Sequence, residues 1–216
     1  MYPITNLCDD GDVHRVENGT NILISGPPHT GADELYLSLM AEGVTEGEGV
    51  IFITTDKSAK KVLSALSSVT GDESLSNVVI IDARSGYSSP MEHDATVYNV
   101  GSPTDLTGIG IRITTAMQYL HQRGFRQIRL GLNSISTLAQ FHTANTVFKF
   151  LHVLCGRVDA TAALGIGFLN RAPTDEDSID LVSAAYDVHA EFRERDDVTE
   201  SRVIGLEPEL RAWSEA

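Results

Sequence analysis

Apolar runs of about five residues alternate with longer stretches of helical period from Asn21 to about Ala185, the pattern of βαβ units around a mainly parallel sheet. The runs Asn21 to Ser25, Val50 to Thr54, Val78 to Asp82, Thr96 to Asn99, Gln127 to Leu132 and Leu164 to Leu169 are predicted strands. Two stretches between them carry apolar residues on one helical face. Asp105 to Arg123 presents Leu106, Ile109, Ile113, Met117 and Leu120, and Thr143 to Val158 presents Val147, Phe150, Leu151 and Leu154. Near the end the pattern changes: Tyr186 to Arg193 and Ser201 to Leu206 flank Asp196-Asp197 and predict an antiparallel hairpin that closes the sheet. Polar segments at Arg84 to Asp94 and Asn170 to Asp177 each follow a predicted strand, where open α/β sheets bind ligands.

The first strand runs into Ser25-Gly26-Pro27-Pro28-His29-Thr30-Gly31-Ala32-Asp33-Glu34, and a helix follows it. Gly26 and Gly31 have the spacing of the phosphate-binding loop G-x-x-x-x-G-K-[ST]. In that motif the lysine reaches the β and γ phosphates and the hydroxyl holds Mg²⁺. Here Ala32 and Asp33 stand in those two places, which removes a cation and adds an anion. The degenerate loop Gly26, Pro27, Pro28, His29, Thr30, Gly31, Ala32 and Asp33 is therefore a candidate nucleotide site with its chemistry deleted. Asp33 and Glu34 put negative charge in the first turn, where a phosphate would otherwise meet the helix N-terminus, so the loop is expected to satisfy itself. His29, when protonated, could bond an anion.

With 216 residues and 42% hydrophobic content, the chain suits a single domain with a full core, about 19–206 between short terminal extensions. No long apolar run or basic leader is visible, so the expectation is a soluble, cytoplasmic protein without a membrane span. Thirty acids against sixteen bases give a net charge of −14, and only four of the bases are lysines. That balance repels nucleic acid and anionic lipid, and it resembles the acidic, lysine-poor proteins of salt-loving archaea. Cys8 and Cys155 lack metal-ligand spacing and read as reduced, structural thiols. The seven histidines form no i, i+4 pair, and no G-x-S-x-G elbow gives Ser25 or Ser134 a triad, so no metal site is expected.

The order of these segments, with the loop first, Val50-Ile51-Phe52-Ile53-Thr54-Thr55-Asp56 next and Gly101 to Ile111 before a helix, resembles the RecA/KaiC superfamily of P-loop ATPases over roughly Gly19 to Leu206. The resemblance implies a RecA-like α/β fold with a mainly parallel sheet flanked by helices. It also implies an acidic Walker B residue at the end of Ile128 to Ser134, where this chain has the neutral Asn133. In such ATPases an acid after the second strand activates water, and Asp56 sits near that place. Asp56 is thus a weak catalytic candidate, and its preferred reading is the N-cap of a helix over Lys57 to Leu66.

Joint loss of the lysine, the hydroxyl and the Walker B carboxylate leads to the expectation of a pseudo-ATPase, not an enzyme. It would be a regulatory or assembly subunit binding a protein partner, itself or an active paralogue, in a homo- or hetero-oligomer. No cofactor is expected, with ATP weak at best. The alternatives are a nucleotide sensor without hydrolysis, using backbone N–H groups of the loop, and an ATPase with relocated groups such as Asp56 with Arg84 or Arg171.

Overall fold

In the computed structural model, described for residues 1–5, 7, 14–71, 74–84, 94–170, 181–206 and 212–215, nine strands form one sheet and five helices cover its two faces. In chain order the strands are β1 Tyr2–Ile4, β2 His14–Val16, β3 Asn21–Gly26, β4 Gly49–Thr54, β5 Val78–Asp82, β6 Thr96–Asn99, β7 Ile128–Asn133, β8 Leu164–Asn170, β9 Val188–Arg195, β10 Val198–Ile204 and β11 Ser214–Glu215. The helices are α1 Ala32–Thr45, α2 Ala59–Thr70, α3 Leu106–Gln122, α4 Ile135–Phe141 and α5 Ala144–Ala160. The sheet order is β11-β10-β9-β3-β8-β7-β4-β5-β6, parallel from β9 to β6, with β10 and β11 antiparallel at one edge. The α/β class, the mainly parallel sheet and the C-terminal hairpin follow the sequence reading. Asp196 and Asp197 make the hairpin turn with φ of 53° and 62°, the left-handed pair that matches strand twist. The hairpin strands sit differently from the predicted segments, since β9 starts at Val188 and β10 three residues before Ser201.

Both faces are buried because the central strands are apolar on both sides. Ile22, Ile24, Phe52 and Ile80 pack under α1 and α2. Leu23, Ile51, Ile53, Val79 and Ile81 pack under α3, α4 and α5. The predicted stripes of α3 and α5 face this second core, with Leu106 and Phe150 only partly buried. Asp105 caps α3 by accepting from Gly108 N, and Thr143 caps α5 by accepting from Thr146 N.

Unpredicted from sequence, β1 and β2 pair with each other and pack their apolar residues into the first core. Tyr2 is fully buried, and its hydroxyl accepts from Ile128 N at 3.1 Å. The N-terminal extension is thereby tied to the start of β7.

Candidate functional site

The neighbouring strands β4 and β7 send the chain to opposite faces of the sheet, β4 into α2 and β7 into α4. Such divergence opens a crevice at the carboxyl ends of the strands. The candidate loop Gly26 to Asp33, Asp56, Arg84 and Asn133 lie at that edge of the sheet.

The loop between β3 and α1 is shaped by its two glycines. A Cβ on Gly26 would lie 2.8 Å from both Phe192 Cβ and Thr30 Oγ1 and 3.0 Å from Ala32 Cβ. Gly31 adopts φ +81°, which other residues rarely reach. Thr30 is buried and donates to Pro27 O at 2.8 Å, so its hydroxyl closes the loop on itself. Pro28 and His29 are exposed, His29 with φ 68°. Ala32 begins the helix and is buried, where no long side chain reaches outward.

Asp33 and Glu34 lie in the first turn of α1, as expected, while the cap position itself is Gly31, which has no side chain to accept from the helix N-terminus. Within the loop Thr30 adds its own closure, and the Glu34 carboxyl bonds its own backbone N–H. The two acids also interact with each other: a side-chain hydrogen bond with Asp33 holds the Glu34 carboxyl above the usual range. A cleft of about 460 Å³ adjoins the loop, lined by His29, Thr30, Gly31, Glu34, Leu35 and Phe192 among others.

Two strands away, Asn133 ends β7 almost fully buried, and its Nδ2 donates to Asp56 Oδ1 at 3.1 Å. The same oxygen accepts from Lys57 N at 2.7 Å. Asp56 is therefore not the N-cap of the following helix. That helix starts at Ala59, and Ser58 caps it by accepting from Lys61 N, its backbone being extended as a cap requires. Thr55 fixes the geometry by donating to Asn133 O and Ser134 O at 3.2 and 3.1 Å. Ser134 takes φ 67° and caps α4 by accepting from Thr137 N. The result is a neutral amide that holds the Asp56 carboxylate at the carboxyl end of β7.

Arg84 is held in place. Its Nη2 pairs with Asp82 Oδ2 at 2.9 Å, and Asp82 also accepts from Ala59 N at 3.2 Å. Burial pushes the Asp82 carboxyl upward, but the hydrogen bonds from Arg84 and Ala59 outweigh it and hold the group below its ordinary range. Arg171 and most of the two polar segments lie outside the described residues, as does Cys8. Cys155 is buried, which pushes its thiol up to about 12 and keeps it unreactive. Among the described residues no group of three or more His, Cys, Asp or Glu side chains is placed to hold a metal. Among them, too, no helix is long and apolar enough to cross a membrane.

One relay escaped the sequence reading because its members lie far apart in the chain. Ser25 Oγ and His189 Nε2 share a hydrogen bond of 2.8 Å, and His189 Nδ1 lies 3.7 Å from Glu191 Oε1. Its order is that of a nucleophilic triad, yet Ser25 is fully buried within β3. A serine that no substrate can reach acts here as a brace between β3 and β9.

The sequence profile of a family of unknown function, DUF7504, matches residues 19–192, from the strand that carries the loop to the hairpin that backs it. The chain belongs to this family. No curated protein matches it.

Proposed function

We propose that this DUF7504 member is a RecA/KaiC-like pseudo-ATPase that serves as a cytoplasmic regulatory or assembly subunit and acts through a protein partner, itself or an active paralogue. The observation that carries the reading is the bond from Asn133 to Asp56. Phosphoryl transfer needs a metal at that edge of the sheet and a carboxylate free to orient water. An amide engaged with the remaining acid supplies neither. The loop supports the same reading, since Ala32 offers no cation and Asp33 adds an anion where phosphates would sit. The strand order is consistent with a RecA-like core, because the loop-bearing β3 and the Asn133-bearing β7 end at the same edge with only β8 between them. Acidic composition favours a salt-rich cell and disfavours nucleic acid as the partner.

A nucleotide sensor without hydrolysis is the second reading, and the start of α1 favours it, because Gly31 at the cap brings no side chain to compete for the helix N-terminus, where anions are attracted. Calorimetry with ATP and Mg²⁺ at molar salt separates the two. The pseudo-ATPase reading expects a dissociation constant weaker than about 10 µM, roughly −7 kcal/mol. Tighter binding without turnover establishes the sensor, and turnover overturns both.

A further inference from the structure

The hairpin edge of the sheet is covered by very little. On its inner side β10 pairs with β9 through all seven residues, Val198 to Ile204. On its outer side, among the described residues, it pairs with another strand only at Glu200 and Ser201, opposite Glu215 and Ser214 of β11. Both β11 residues are exposed, and the side-chain bond from Ser214 Oγ to Ser201 O is long at 3.4 Å. Glu200 and Glu215 stand directly opposite each other, and like charges so placed weaken a strand pair. An edge of this kind is a template for another chain.

An aromatic slot holds this short strap, residues 212–215. Trp213, the chain's single tryptophan, lies over two guanidinium groups, with Arg193 Cζ 3.9 Å and Arg202 Cζ 4.5 Å from its ring centroid. Each guanidinium is pinned by a carboxylate of the neighbouring strand. Arg193 Nε donates to Glu200 Oε2 at 2.6 Å, and Arg202 Nε to Glu191 Oε2 at 2.5 Å. Arg193 lies opposite Glu200 and Glu191 opposite Arg202, so the four side chains form a checkerboard on one face of the hairpin. The hairpin alone builds the slot, and the two arginine side chains are still 33% and 32% exposed with the indole in place.

We propose that the outer edge of β10, with the Arg193–Arg202 slot, is a docking site for an extended segment of a partner protein, and that residues 212–215 are its built-in competitor. The strap defines the chemistry of that partner. Its aromatic residue falls opposite Arg202, one step beyond the Ser201–Ser214 pair, and a partner strand keeps an aromatic side chain there to lie on the guanidiniums. Two residues later, opposite Glu200, the partner carries a lysine or arginine, which turns the like-charge pair into an attraction. Glu194, Asp196 and Asp197 in the adjoining turn favour the same sign. A longer strand also adds main-chain hydrogen bonds along β10, as strand addition to a sheet edge does. The tethered strap competes at an effective concentration on the order of millimolar, so only a longer and better-matched strand displaces it. The inference gives the protein-partner reading above a surface and a partner chemistry, and it rests on that reading for its purpose.

The test uses the full chain at molar salt, where the emission of Trp213 reports on the strap. The probe is a peptide as long as β10 with tyrosine in the aromatic position, lysine two residues later and threonine or valine elsewhere. Control peptides carry alanine for the tyrosine or glutamate for the lysine. The expected result is that the probe moves the Trp213 emission to that of a water-exposed indole in a saturable way, and that each control binds roughly 10-fold more weakly by calorimetry. In Trp213→Ala the competitor loses its hold, so the probe binds roughly 10-fold tighter while thermal melting of the core is little changed. Arg193→Lys with Arg202→Lys keeps the charges beside Glu200 and Glu191 but removes the flat platforms, and it should free the Trp213 emission without any peptide. Parent emission already that of exposed indole, or unmoved by the lysine pair, overturns the proposal. So does a probe that fails to bind, binds no better than its controls, or binds Trp213→Ala no tighter than the parent. A Trp213→Ala chain that unfolds also overturns it, because the strap is then part of the fold and no competitor. If the probe fails and ATP also fails to bind, the docking edge is wrong and the pseudo-ATPase reading stands. If the probe binds and ATP binds tightly, the reverse holds.

Discussion

Near its start strand β7 carries Arg129, fully buried among Glu48, Glu42 and two backbone carbonyls, whereas at its end it carries Asn133, buried and neutral against Asp56. Both residues point to the face covered by α1, with Gly131 between them. At the first end, Arg129 Nε donates to Glu48 Oε2 at 2.8 Å and Nη2 to Glu48 Oε1 at 2.9 Å. Nη1 reaches Glu42 Oε2 at 3.0 Å and also Leu39 O, and Nη2 reaches Pro3 O at 3.2 Å. Charge is kept there because every donor that leaves water finds an acceptor. The fold therefore tolerates a buried ion on this strand, so burial alone does not require the neutral residue at its other end, where the proposed function expects a ligand.

The largest effect is expected at the charged end. Arg129→Met strands Glu48 without its bidentate partner and releases the carbonyls of Leu39 and Pro3, a loss of about 3–5 kcal/mol. Urea unfolding measures it, and Arg129→Met with Glu48→Gln should recover part of the loss because the orphaned charge is gone. A cost below about 1 kcal/mol would mean that the cluster behaves like a surface pair, and the contrast between the two ends would collapse.

A smaller effect is expected at the neutral end. Asn133→Asp places a second carboxylate where the amide now donates to Asp56, turning an attraction into like-charge repulsion worth roughly 1–3 kcal/mol near neutral pH. One acid of the pair then titrates at raised pKa, so stability relative to the parent is lowest above that pKa and recovers as pH falls through it. A divalent cation should relieve the same repulsion, so Mg²⁺ should raise the melting temperature of the variant and leave the parent unchanged. Adding Ala32→Lys and Asp33→Thr should bring some nucleotide binding and little hydrolysis. A variant indifferent to both pH and Mg²⁺ would show that Asp56 and residue 133 are not held together in solution.

How far the sequence disclosed these features depends on how local each is. The central strands were legible because they are apolar on both faces, and α3 and α5 because their 3.6-residue stripes are long. The three-residue β1 and β2 and the seven-residue α4 carry too few residues for a period to register. Asp56 stands where a cap is expected, just before a helical pattern, but Ser58 has that role, and the partner that claims Asp56 lies 77 residues away. Arg129 sits in an alternating run, and nothing local states that α1 covers its polar side.

Midway between the two ends lies the smallest expected effect. Tyr36 projects from α1 toward Gly131, where an added Cβ would lie 2.5 Å from its hydroxyl, so glycine there is what admits the ring. The hydroxyl is buried and has no hydrogen-bond partner among the described residues. Burial first, and then the nearby Asp56, raise its pKa well above the usual tyrosine range, so it stays protonated throughout the working pH range. An unpaired buried hydroxyl costs stability, and removing it without changing the ring recovers that cost. Tyr36→Phe should therefore be neutral or stabilising by up to about 1 kcal/mol, measured by urea unfolding. A loss of more than that would mean the hydroxyl is bonded in solution, through water or a ligand lying between the charged and neutral ends of β7. The crevice would then reach deeper beneath Asn133 than the bond to Asp56 implies.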